Sequence, residues 1–207
     1  MMSRSSPSTH GGVQTPLLGR LLNAMDERQR IGVVDFGLGS SSVLETFAPY
    51  RVRLDTLDIF PQLERWEAAD TQDERRALIQ AHVDGFELEG IDWILSWSLL
   101  NYTAPLTATL LFDALRPRMR PTTAVHALIE YSSPEMPASP PSWTIRVDEN
   151  DVSLTPLSSE ARTASPRHTP KRLEGMLGGM KAQSTVLLSN GLQEYIFRPS
   201  GRSDTDS

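Results

Sequence analysis

The sequence contains no cysteine, which excludes disulfides, thiolate-bound zinc and cysteine nucleophiles. It has no run of about 18 apolar residues, the length a membrane-spanning helix requires. Its first residues lack the apolar core of a signal peptide. Positive charge is short as well: 20 Lys and Arg against 26 Asp and Glu give a formal net charge of −6, so the basic footprint of a nucleic-acid binder is missing. Histidine is sparse. His10, His82, His126 and His168 are the only four, and no two stand at metal-ligand spacing. Ser40-Ser41-Ser42 does not form a G-x-S-x-G nucleophile elbow. These absences lead us to expect a cytoplasmic chain with no metal, no membrane contact and no nucleic-acid partner.

What remains is 207 residues with 39% hydrophobic content, enough for one domain with a buried core. Residues 1–14 are rich in Ser, Gly, Pro and Thr and read as a disordered tail. The domain is expected over 15–200, with a second polar tail at 201–207. Thr15 is placed to cap a helix that carries Pro16 at its first position, with Leu17, Leu18, Leu21, Leu22 and Met25 at helical spacing.

Four strands then alternate with helical segments. Ile31–Phe36 is a mostly apolar run that suits a strand covered on both faces. Val52–Leu57 alternates; Ile91–Trp97 and Thr122–Tyr131 are the other two. Between them, Ser41–Phe47, Pro61–Ala81 (split near Asp70–Asp73) and Pro105–Leu115 favour helices. This order predicts an α/β fold, a Rossmann-like, mainly parallel sheet with helices on both faces. The last third differs. Pro134–Pro141 reads as a loop, Trp143–Val147 and Val152–Leu157 as a hairpin (142–158), and Ser158–Pro170 as a polar stretch that leaves His168 in a loose segment. Lys171–Ala182 reads as a helix weakened by its glycines. Ser184–Leu188 and Gln193–Arg198 form a closing antiparallel hairpin around Asn190-Gly191.

The stretch with chemical content is Val33-Val34-Asp35-Phe36-Gly37-Leu38-Gly39-Ser40-Ser41-Ser42. A strand runs into a glycine turn and then a helix. Glycines let backbone N–H groups approach a ligand closely, and a carboxylate at the next strand end, here Asp58, can grip a ribose. The spacing from Asp35 to Asp58 leaves room for one turn, one helix and one strand. Both carboxylates therefore fall at adjacent carboxyl ends of a parallel sheet, where such sheets bind ligands.

Here the chain resembles the class I S-adenosylmethionine (SAM)-dependent methyltransferases. VVDFGLGSS is similar to their first motif, LDIF (57–60) to their acid-ended second strand and IDWILSWSLLNY (91–102) to their fourth-strand motif. LRPRMRPTTAVHALIE resembles their LRPGG turn and fifth strand, and the closing hairpin resembles their sixth and seventh strands. The resemblance covers about residues 30–200. It implies SAM as cofactor, with Gly37, Gly39 and Ser40 in the loop beside its methionine end. Asp35 would face the amino-acid group, Asp58 would accept the ribose hydroxyls and Ile59 would pack on adenine. Ser96 and Trp97 would lie near the sulfonium, with Asn101 and Tyr102 on the substrate side.

The departures are equally specific. Ser41 replaces the third glycine, and no third strand is evident, with Asp84 the best candidate for its acid. The LRPGG turn reads LRPRM, and the 142–158 hairpin is additional. Leu100-Asn101-Tyr102-Thr103 stands where base-amino methyltransferases carry Asn-Pro-Pro-Tyr. The expected acceptor is a small molecule or a protein side chain. A catalytically inactive, methyltransferase-like binding or regulatory subunit is the alternative, and a protein partner or homo-oligomer fits either reading. A nicotinamide oxidoreductase reading, from Gly37-x-Gly39-x-x-Ser42, is weaker, because Asp35 ahead of the glycines is not part of that fingerprint. Glu130 and Tyr131 are further candidates as base or substrate contacts. His126, within an apolar strand, reads as a core histidine.

Overall fold

A computed structural model describes residues 12–26, 28–37, 39–149, 151–158 and 160–200. The expected tails at 1–11 and 201–207, and Leu38 of the glycine loop, lie outside the described residues.

The chain opens with a two-residue strand, β1 (Val13–Gln14), and helix α1 (Pro16–Asn23). Val13 and Gln14 were expected in the tail. They instead pair with a hairpin strand far along the chain, opposite Leu154 and Ser153, so a distant partner orders a segment with no propensity of its own. Pro16 does occupy the first turn of α1, but Thr15 gives no side-chain cap. Its hydroxyl donates to the Val152 carbonyl, and the first-turn N–H groups of Leu17 and Leu18 donate to the carboxylate of Glu194 at 2.9 and 2.8 Å.

Strand β2 (Ile31–Asp35) is buried at every position. Helix α2 (Ser41–Phe47) and strand β3 (Val52–Thr56) follow. The split in the next helical region is real: α3 (Phe60–Glu67) stops, Thr71 caps α4 (Gln72–Asp84) by accepting from Glu74 N, and β4 (Ile91–Trp97) enters the sheet. Helix α5 (Pro105–Leu115) leads to β5 (Met119–Glu130). Residues 134–141 are not wholly loop: β6 (Glu135–Pro137) pairs with β9 (Arg162–Ala164). Between them lies the expected hairpin, β7 (Ser142–Asp148) and β8 (Asp151–Leu157). Helix α6 (Pro170–Met176) ends well before Ala182, because Gly178 and Gly179 take left-handed φ values of 64° and 85°, open to glycine at no steric cost. Strand β10 (Lys181–Leu187) begins directly after and turns at Asn190-Gly191 into β11 (Leu192–Arg198).

The main sheet has the order β10-β11-β5-β4-β2-β3. Strands β5, β4, β2 and β3 are parallel, and β11 and β10 are antiparallel additions. No described strand lies beyond β3. Asp84, the candidate third-strand acid, is the last residue of α4 and pairs with Arg118. One face of the sheet packs on α3–α6 through Leu63, Trp66, Ile79, Leu111 and Leu173. The other packs on α1, α2 and the small sheet β1-β8-β7 through Leu18, Val43, Ile145 and Leu154. The inserted hairpin thus takes the place of a helical layer over one half of the sheet.

Candidate functional site

Strands β2 and β4 are sheet neighbours, and the chain leaves β2 toward β3 on one side while β4 lies on the other. A parallel sheet opens a crevice at the carboxyl ends of such a pair. A cavity of about 110 Å³ sits there. It brings together six residues singled out by sequence: Asp35, Gly37, Gly39, Ser40, Ser96 and Trp97. At roughly 10–15 Å³ per water, the space suits one end of a ligand.

Asp35 is buried and governs the site's electrostatics. Its Oδ1 accepts from the Trp97 indole N–H at 2.5 Å and from Gly37 N at 2.9 Å, and its Oδ2 is buried with no partner. Burial pushes the carboxyl pKa above its usual range, against the opposing pull of those two N–H donors. Trp97 reaches Asp35 because the β4–β5 register slips between Leu95 and Trp97, and its backbone takes a φ of 48°. Non-glycine residues rarely hold such a backbone, and those that do cluster at functional sites. Gly37 must be glycine: a Cβ there would stand 2.9 Å from Asp35 Oδ1 and 3.0 Å from Trp97 Nε1. Ser41, by contrast, is an exposed first-turn residue of α2, where a side chain meets no obstacle.

The sequence did not reveal the roof. Pro140 and Pro141, just before the inserted hairpin, and Ser142 and Trp143 at its start line the cavity. The Ser40 hydroxyl accepts from Val43 N and lies 3.3 Å from the Trp143 carbonyl, to which it donates. The Ser42 hydroxyl is 2.8 Å from that of Ser40 and accepts from Ile145 N at 3.0 Å. The glycine loop and the hairpin are stitched together by two serines. Phe36, Phe60 and Leu99 complete the apolar part of the wall.

Four expected site residues lie outside this lining. Asp58 is exposed beyond the end of β3. Ile59 is fully buried in the core and so presents no face to a base. Asn101 is turned inward, donating to the Leu128 carbonyl and accepting from Glu130 N; both ends of its amide are used by the fold. Tyr102 packs edge-on against Phe60 and shares its hydroxyl proton between the Pro137 and Ser139 carbonyls. Burial and the nearby Glu130 charge push the Tyr102 phenol up to about 12. Burial also raises the Glu130 carboxyl, with the Arg162 charge pulling the other way. Tyr131 is exposed. His168, expected in a loose segment, is buried and bonded through Nε2 to the Leu100 carbonyl.

No family model matches the sequence, and no curated protein does. Solved structures do match. The pyocyanin biosynthetic protein PhzM aligns over 89% of this chain and 55% of its own, at 14% identity and a TM-score of 0.50. An S-adenosylmethionine-dependent methyltransferase from Clostridium acetobutylicum ATCC 824 aligns over 89% of both chains, at 10% identity and the same TM-score. The fold is that of the class I SAM-dependent methyltransferases. This chain spans about half the length of PhzM. Among the described residues no strand flanks β3 on its outer side, and the cavity lies at the glycine loop after β2.

Proposed function

We propose that this chain is a SAM-dependent methyltransferase acting on a small molecule. The observation that carries this reading is the cavity at the ends of β2 and β4, into whose wall Asp35 brings a buried carboxylate oxygen without a partner. Such an oxygen calls for a cationic donor, and the ammonium of the cofactor is one. Gly37, Gly39 and Ser40 would hold the methionine end, and Trp97 would set an aromatic wall beside the sulfonium, an arrangement that favours cations. Asp58, exposed past β3, would accept the ribose hydroxyls outside the cavity, with the nucleoside along the open side of the sheet. SAM supplies an electrophilic methyl group. Asp35 is the one titratable side chain among the described lining residues and is spoken for by the ammonium, so the protein's contribution is alignment and exclusion of water. The roof of Pro140–Trp143 narrows the approach, which favours a small acceptor over a protein side chain. Tyr102 and Glu130, beside the β6–β9 ribbon, would bound the acceptor's side. A cytoplasmic location agrees with the absence of cysteine.

Isothermal titration with SAM and with S-adenosylhomocysteine tests the reading. Saturable binding is expected, and Asp58→Ala should remove most of it, since the ribose hydroxyls lose a charged acceptor. No binding at millimolar ligand would overturn the function; full affinity in Asp58→Ala would overturn the ribose assignment.

A further inference from the structure

Asp35 is not the only buried, unpartnered polar group in this wall. The indole N–H of Trp143 is also buried without a partner, and Trp143 lines the same cavity. Trp143 is 6% exposed and Asp35 1%. Buried tryptophan N–H groups ordinarily find an acceptor, and unsatisfied buried groups are few in native folds. Here one donor and one acceptor, neither used by the fold, belong to side chains around one small space.

The remaining polar groups of the wall with known partners are committed. The Ser40 hydroxyl serves the Trp143 carbonyl, the Ser96 hydroxyl donates to the His126 carbonyl, and Gly37 N donates to Asp35. Among the described lining residues, the Trp143 N–H and Asp35 Oδ2 are the two side-chain atoms buried without a partner. The Trp143 backbone is fixed, because Ser40 and Ser42 tie the start of β7 to the glycine loop. The donor is thus held in place before any ligand arrives, which lowers the ordering cost of binding.

We infer that the inserted hairpin contributes directly to ligand recognition: the Trp143 indole N–H receives the carboxylate of an α-amino-acid group whose ammonium pairs with Asp35 Oδ2. The ligand class is a zwitterionic α-amino acid or a molecule that ends in one. Two opposite charges enter together, and each meets a group of the matching kind. The inference rests on the reading of the preceding section, since the cofactor proposed there ends in such a group. It adds that a segment outside the shared methyltransferase frame sets the specificity for that end.

The test separates the two ends of the ligand. S-adenosylhomocysteine carries the amino-acid group; 5′-methylthioadenosine carries the nucleoside and lacks it. Calorimetry on the full chain and on Trp143→Phe, which keeps an aromatic ring and removes the N–H, should show S-adenosylhomocysteine weakened about tenfold or more and 5′-methylthioadenosine unchanged. In the unaltered chain, the Trp143 indole resonance in a ¹H–¹⁵N spectrum should move on addition of S-adenosylhomocysteine and stay in place with 5′-methylthioadenosine; this readout does not depend on the variant folding. Equal loss of both ligands, or an indole resonance that ignores S-adenosylhomocysteine while it binds, would overturn this inference and leave the cofactor reading standing. Absence of any binding by the unaltered chain would overturn both.

Discussion

Trp97 donates its indole N–H to Asp35 across the ends of two parallel strands, 2.5 Å from nitrogen to oxygen, and holds a left-handed backbone to do so. The bond satisfies one oxygen of a buried carboxylate, while the other is buried without a partner. Trp97→Phe should therefore lower stability by about 1–3 kcal/mol, the cost of orphaning a buried polar atom, as read from urea denaturation midpoints. A variant as stable as the parent would show that Asp35 relaxes to water instead.

Gly37→Ala puts a methyl group 2.9 Å from Asp35 Oδ1 and 3.0 Å from Trp97 Nε1. Real Cβ contacts do not reach the shorter value, so the Asp35–Trp97 bond must open. We expect a destabilisation of about 1–3 kcal/mol and a shifted Trp97 indole resonance. An unmoved indole resonance would contradict the packing described.

Asp35→Asn separates stability from binding. The Asp35 pKa is raised in the fold, so the folded chain disfavours the ionised form. The stabilisation held by the neutral acid is fully present below the unfolded pKa, near the ordinary 3.8, and is lost as pH rises through the higher folded value. At pH 7, well above the ordinary value, the parent therefore bears a penalty from Asp35. Asp35→Asn, which never ionises, should be more stable there by about 1–2 kcal/mol, with the gain shrinking toward pH 4. Affinity for S-adenosylhomocysteine should fall in the same variant, because the ammonium loses its counter-charge. A gain that persists unchanged into acid would refute the account.

How much of this was legible in the sequence depends on how far apart the interacting residues lie. The parallel strands were readable because each carries its own apolar run, and Asp35, Gly37 and Gly39 because the turn is local. The β6–β9 pair and β1 were not, since their order comes from partners that no local pattern names. Glu194 is the clearest case: it is fully buried, accepts from Leu17 and Leu18 of α1, 176 positions from the latter, and bonds His126 Nε2 at 2.9 Å. In the sequence it is one polar residue in a closing strand. Trp143 was hidden in the same way, as an aromatic in a hairpin whose neighbours across the cavity lie a hundred positions earlier.

Glu194→Ala should accordingly be among the most damaging substitutions in the chain. It removes the shared acceptor of two backbone N–H groups and a buried imidazole, and truncating one partner of such a buried cluster costs about 3–5 kcal/mol. Denaturation midpoints would register the loss, and amide exchange at Leu17 and Leu18 should quicken first. Slow exchange at those two amides in the variant would count against Glu194 as the anchor of α1.

Acid should also weaken the fold through His168. Burial lowers its pKa below 6.5, so the folded state favours the neutral ring. Stability is complete above the unfolded value and declines as pH drops through 6.5 toward the folded one. Relative to His168→Gln, the parent should lose urea stability between pH 7.5 and 5, on top of the opposite slope from the raised Asp35 and Glu130 carboxyls. Burial lowers His82 as well, so its share of the acid-side loss should remain in the variant. An unchanged slope in His168→Gln would rule out this source.

The roof over the cavity has a consequence for how fast a ligand gets in. Strand β8 of the hairpin is pinned by Val13 and Gln14 and by Thr15, whose N–H and hydroxyl both reach the Val152 carbonyl. Lifting Trp143 off the glycine loop strains those bonds too. A ligand that entered by lifting this roof would face an opening equilibrium shared with the first turn of the domain, its affinity scaled by the fraction of molecules that are open. Three residues outside the cavity lining would thereby act on the residence time of such a ligand.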